Sequence, residues 1–161
     1  MIARFLVKAV FGKLGTYVVD NIIIDKVTPK PGSVIYCKLG VMAEHTGIYI
    51  GNDEIIHLDG SGKVEKVSAA QFVRRLGGLN PAFTIYVSCK DATPVYRQNA
   101  VRRALEGMEG SREYNLIMDN CHQFTIGCVT GDFGNSSNFF TLLEWKLETE
   151  LGHNNWRVWD R

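Results

Sequence analysis

Three side chains have the types and setting for nucleophilic chemistry: Cys121, His45 and His57. Cys121 lies in "DNCHQF", residues 119–124. Asn120 is a favoured N-cap residue, and Gln123 stands three places on, where a capping box requires it. That spacing predicts a helix whose first residue is Cys121. Free backbone N–H groups and the positive end of the helix dipole favour a thiolate there, so the cysteine pKa is expected to fall. His45 and His57 belong to "EHTGIYIGNDEIIHLDG", residues 44–60, which reads as two half-buried strands joined by a hairpin turn at "GNDE". With the turn centred on Asn52 and Asp53, His57 falls opposite Gly47, and His45 shares a strand face with Gly47. The imidazoles then lie diagonally on one face, with no side chain at Gly47 to fill the space between them. A thiol at a helix start, an imidazole to take its proton and a third group to orient that imidazole form the machinery of a cysteine nucleophile. The competing reading is an inert core cysteine and two ordinary histidines.

The remaining histidines and cysteines carry less. His122 points about 100° away from Cys121 around the helix and is expected to be exposed or to assist the cap. His153 falls in a polar tail and is expected to be solvated. Cys37 and Cys89 lie in predicted strands, and Cys128 lies one heptad beyond Cys121; all three are expected in the core. Cys121, His45 and His57 would suffice for an open zinc site. No ligand pair has the short spacing or the HExxH pattern that announces zinc, so no metal and no other cofactor is expected.

The elements that must position these groups follow from the pattern. "TPKPG" is a turn cluster. "SVIYCKL", "TGIYIG" and "EIIHLD" read as strands, and "GSGKVEKVS" as a turn followed by a strand. "SAAQFVRRLGG" reads as a short helix and "AFTIYVSC" as a further strand. "PVYRQNAVRRALEGMEGS" reads as a helix with Pro94 near its start. "DNCHQFTIGCVTG", ended near Gly131, and "SNFFTLLEWKLETELG" read as two more helices, followed by the tail "HNNWRVWDR". The expected class is α+β, a small antiparallel sheet with helices toward the chain ends.

The chain has 161 residues, 45% of them hydrophobic and 22% charged, which suits one globular domain. Within it we expect an N-terminal amphipathic helical segment over 1–24, a catalytic core over 30–131 and a C-terminal helix and tail over 132–161. A net charge of +1 gives no basic field for nucleic acid. The four cysteines form no CxxC pair and imply no disulfide framework, which favours a reducing, cytoplasmic setting. In the first segment Ile2, Phe5, Leu6, Ala9, Val10, Leu14 and Tyr17 recur at helical spacing, with Arg4, Lys8 and Lys13 elsewhere on the wheel. Such a helix packs on a core, or residues 1–20 touch a membrane surface peripherally.

In order along the chain stand Pro31-Gly32-Ser33-Val34-Ile35, the run from His45 to Gly51, His57, and Asn120 to Phe124. This ordered set resembles the lecithin:retinol acyltransferase-like family, which includes the HRAS-like suppressor phospholipase/acyltransferases and bacterial relatives. The resemblance covers about residues 30–131. It implies a circularly permuted papain-like fold with Cys121 as nucleophile, His45 as general base and His57 as the orienting group. It also implies an acyl-cysteine intermediate and acyl-ester substrates, with lipid esters foremost. The chain departs from the family pattern in three places. Ser33 stands where Asp is usual, "NCHQF" replaces Asn-Cys-Glu-His-Phe, and 132–161 has no counterpart. Two further readings stay open: a cysteine peptidase or amidase acting on peptidoglycan or a peptide, and a non-enzymatic interaction module.

Overall fold

Val34, Tyr36 and Ile48 point to one side of a β-sheet, while Ile35, Cys37 and Tyr49 point to the other. Both sides are covered, which is why these strands read as nearly continuous apolar runs. The computed structural model describes residues 26–39, 43–74, 84–110 and 120–161. The helical segment expected over 1–24 lies outside the described residues.

The elements run β1 (Val34–Leu39), β2 (Ala43–Gly51), β3 (Glu54–Leu58), β4 (Val64–Ser68), α1 (Ala69–Arg74), β5 (Ile85–Lys90) and β6 (Thr93–Pro94). They continue with α2 (Gln98–Met108), α3 (Cys121–Thr130), α4 (Phe140–Leu151) and β7 (Asn155–Val158). The class is therefore α+β. The sheet is antiparallel, ordered β4-β3-β2-β1-β5-β6, with β7 also paired to β5. Helix α1 contributes Phe72 and Val73 to one face, together with Val27 and Trp159. Helices α2, α3 and α4 cover the other face through Ala100, Ala104, Phe124, Ile126, Leu143 and Leu147.

The β2–β3 hairpin forms as the turn chemistry requires. Asn52 and Asp53 both take positive φ, 52° and 62°, the backbone of a type I′ turn. Helices α3 and α4 end on Gly131 and Gly152 in the left-handed conformation.

Three expectations are corrected. Pro94 does not open a helix. It pairs with Cys89 in the short β6, and α2 begins only at Gln98. The tail adds a strand that the sequence reading leaves out: Asn155–Val158 pairs antiparallel with Tyr86 to Cys89 of β5. His153 is accordingly buried and hydrogen-bonded to Ser88, Nδ1 to Oγ 3.0 Å. Among the described residues no helix is long and apolar enough to cross a membrane.

Candidate functional site

Cys121 is the first residue of α3, as the cap predicts. Asn120 Oδ1 accepts from the backbone N–H of Gln123 at 2.9 Å. The reciprocal arm of the capping box does not form. The Gln123 side chain instead donates to the carbonyl of Asn135 at 2.6 Å, and Asn135 Nδ2 donates back to the Gln123 carbonyl at 3.0 Å. Asn120 Nδ2 donates to the Asn138 carbonyl at 2.7 Å. The segment after α3 thus folds back over its first turn and fixes where the helix start lies. No motif marks this role in the sequence, because it rests on amide–carbonyl bonds that any exposed loop residue also makes.

The two imidazoles meet. His45 Nε2 and His57 Nδ1 are 2.7 Å apart, with the rings edge to face. Both rings pack on Phe72 of α1, at centroid distances of 5.1 and 5.5 Å, and both are buried. Glu65 stands opposite His57 in the β3–β4 register, and its Oε1 lies 3.3 Å from His57 Nε2. Burial, then the neighbouring His57 and His122, lower the His45 pKa to about 3. His45 is therefore neutral at physiological pH.

Gly47 is the residue that permits the pair. A Cβ there would stand 2.9 Å from Ile55 Cγ2, 3.0 Å from the Ile56 carbonyl oxygen and 3.3 Å from His57 Cβ. The Gly47→Ala variant is expected to displace the His57 strand and to lose about 1–3 kcal/mol of stability, read from the urea midpoint. An unchanged midpoint would show that the close approach has no consequence.

Cys121 makes different contacts from those the sequence suggests. Its Sγ lies 3.7 Å from His122 Nδ1, and Thr46 approaches it with both backbone and hydroxyl. Among the described residues it forms no hydrogen bond with His45 or His57. The alternation of β2 explains this. His45 turns toward Phe72, while the next residue, Thr46, turns toward α3. Cys37, the cross-strand partner of His45, still feels the sulfur. Its thiol is pushed up to about 12 by burial and, second, by Cys121. Thr46 thus reaches the sulfur while its chain neighbour His45 meets His57.

His122 is buried, contrary to the expectation of exposure. Thr125 Oγ1 donates to Thr46 Oγ1 at 3.1 Å, and Thr46 Oγ1 lies 3.0 Å from His122 Nδ1. Burial lowers the His122 pKa to about 4, so this ring is neutral too. Thr46 and Glu65 are the site groups that sequence reasoning missed. Each leaves a signal: period two puts Thr46 on the apolar face with Ile48, and Glu65 on the apolar face with Val67.

The cysteine pKa also departs from expectation. Burial raises it above the ordinary thiol value. Hydrogen bonding by Thr46 and by the backbone of His122 and Cys121 offsets this only in part. The resting site pairs a neutral thiol with neutral imidazoles. Iodoacetamide is expected to label Cys121 ahead of Cys37, Cys89 and Cys128, which are buried. Its rate should climb about tenfold per pH unit through neutrality, because the thiolate is the nucleophile. A plateau below neutral pH would reveal a preformed thiolate and contradict this.

Among the described residues no group of three His, Cys, Asp or Glu side chains is arranged to hold a metal ion. The chain is 25% identical over 104 residues to the genome polyprotein of Avian encephalomyelitis virus, strains Van Reokel and L2Z. The similarity covers 64% of this chain and 5% of each polyprotein, so the chain spans a small fraction of the curated relatives it matches. No solved structure matches the chain significantly. The family model described as Lecithin retinol acyltransferase matches residues 27–134. That span takes in β1 to α3 with His45, Thr46, His57, Glu65, Cys121 and His122, and by it the chain belongs to the lecithin retinol acyltransferase family.

Proposed function

We propose that this protein is a thiol-dependent acyl hydrolase or acyltransferase acting on lipid esters through an acyl-cysteine intermediate, on a permuted papain-like fold. Membership of an acyltransferase/hydrolase family supports the reaction class. The observation that carries the assignment of roles is the buried His45–His57 contact. It begins one residue from the threonine that touches the sulfur at the start of α3.

In this reading substrate binding brings the Cys121 thiol and the His45 ring into line, since catalytic hydrogen bonds often tighten only in the complex. His45 takes the thiol proton as Sγ bonds to the ester carbonyl carbon. The carbonyl oxygen becomes an oxyanion, and the backbone N–H groups of Cys121 and His122 stabilise it. Collapse breaks the carbon–oxygen ester bond, the proton on His45 passes to the leaving alkoxide, and a thioester remains on Cys121. Water, or an amine or alcohol, attacks the thioester and gives its proton to His45; the carbon–sulfur bond breaks, the acyl group leaves, and His45 returns the proton to the Cys121 sulfur. His57 holds the His45 ring throughout.

Lipid is favoured over peptide by the surface next to the helix start. Phe139, Leu142 and Trp145 are exposed at helical spacing, and Phe139 directly follows the residue that Asn120 holds. An apolar cluster of that kind suits an acyl chain or an interface. Incubation with a radiolabelled phospholipid panel and, separately, a peptide and peptidoglycan panel tests the choice. Release or transfer of fatty acyl groups is expected. Peptide or amide cleavage with no lipid turnover would replace this reading with a cysteine peptidase or amidase.

A further inference from the structure

The sheet face that carries the imidazole pair also carries a carboxylate. Glu65 is 9% exposed, and Val67, which shares its face of β4, belongs to the apolar core. Burying a carboxylate costs free energy that only a close partner offsets. Its position opposite His57, 3.3 Å from Nε2, gives it an imidazole to act on. We propose that Glu65 is a positioning residue that fixes the tautomers of both histidines and thereby selects the nitrogen that serves as base. This inference rests on the catalytic roles proposed above for Cys121, His45 and His57.

The argument is one of donors and acceptors. An ionised carboxylate only accepts. We take Glu65 as ionised and His57 as neutral, so that the His57 proton sits on Nε2, 3.3 Å from Glu65 Oε1. Nδ1 of His57 is then the acceptor in the 2.7 Å contact, so His45 must donate from Nε2. A neutral His45 that donates from Nε2 keeps its lone pair on Nδ1. That nitrogen is the basic site left to the pair, and it receives the thiol proton. With no carboxylate at position 65 the reverse chain, His57 Nδ1–H donating to His45 Nε2, has equal standing. It would occupy the wrong nitrogen of His57 and leave His45 protonated on Nδ1, unable to accept. Among the described residues, Asp59 also reaches the pair with its charge, and the other ionisable groups facing it are His122 and Cys37. His122 is bonded to Thr46, Cys37 is a protonated thiol, and Asp59 is committed to the Ser61 and Lys63 amides.

Imidazole tautomers are read directly by long-range proton–nitrogen correlation on the full chain labelled with nitrogen-15 histidine, near neutral pH and without substrate. The wild-type spectrum is expected to show both His45 and His57 protonated on Nε2. In Glu65→Leu the Nδ1-protonated form of His57 is expected to become populated. Acylation of Cys121 should slow about a hundredfold with KM unchanged. Glu65→Gln, which keeps an oxygen acceptor, should recover most of that rate. A wild-type His57 protonated on Nδ1 overturns the proposal, as does a Glu65→Leu variant that acylates at the wild-type rate. The wild-type spectrum decides even if the variants do not fold. Because it needs no turnover, a protein with the expected tautomers that never acylates would refute the enzyme reading while leaving the role of Glu65 intact.

Discussion

Cys121→Ser is expected to lower ester turnover by about ten-thousandfold or more while the fold persists. Removing a nucleophile from a group that acts as a unit has losses of this order. A serine oxygen is far less acidic than the thiol, and neither imidazole is charged to help it. The fold should tolerate the change, because Cys121 is half-buried and its contacts are polar: Thr46, His122 and the helix backbone. The measurement is initial-rate hydrolysis beside a thermal melt. Turnover within tenfold of wild type at equal stability would show that another group is the nucleophile. The neighbouring Cys37 is a poor substitute, with its pKa pushed up to about 12 inside the sheet.

Stability is expected to collapse on mild acidification. His45 has its pKa lowered to about 3, and His122 and His153 to about 4, each by burial first. In the unfolded chain all three titrate near the ordinary value of 6.5. As pH falls below that value the unfolded state binds protons and the folded state does not. The stability is thus complete above about pH 6.5 and is lost as pH falls toward about 4. With three such groups, the folding constant should drop by up to about a thousandfold per pH unit at the steepest point, and unfolding should take up about three protons. Urea midpoints measured across this range check the slope. A slope of less than one proton would mean that the rings are charged in the folded protein.

The strands and the start of α3 were legible because local rules govern them. Short apolar runs bounded by turn residues exposed β1 to β4, Asn-Asp gave the hairpin its turn, and Asn120 placed the start of α3 where it lies. The contact between His45 and His57 followed from that register. What the sequence hid depends on distant partners. His122 reads as exposed until Thr46 from β2 and Phe140 from α4 close over it. His153 reads as solvated until the tail pairs with the edge of β5 and Ser88 bonds to its ring. The thiol pKa was misjudged in sign because the helix start was considered without the burial that α3 imposes on it. Glu65 was passed over because a single carboxylate in a short strand looks like a solvent-facing residue. Only the pairing of β3 with β4 turns it toward His57.

The central claim is that the sulfur of Cys121 becomes acylated with help from His45. Mass spectrometry of the intact protein after incubation with a slowly hydrolysed acyl ester, followed by peptide mapping, tests it most directly. We predict one added acyl group on the peptide containing Cys121, removable by hydroxylamine as a thioester, and its near-complete loss in His45→Ala. An acyl group on any other residue, or an adduct that forms equally fast without His45, would contradict the account.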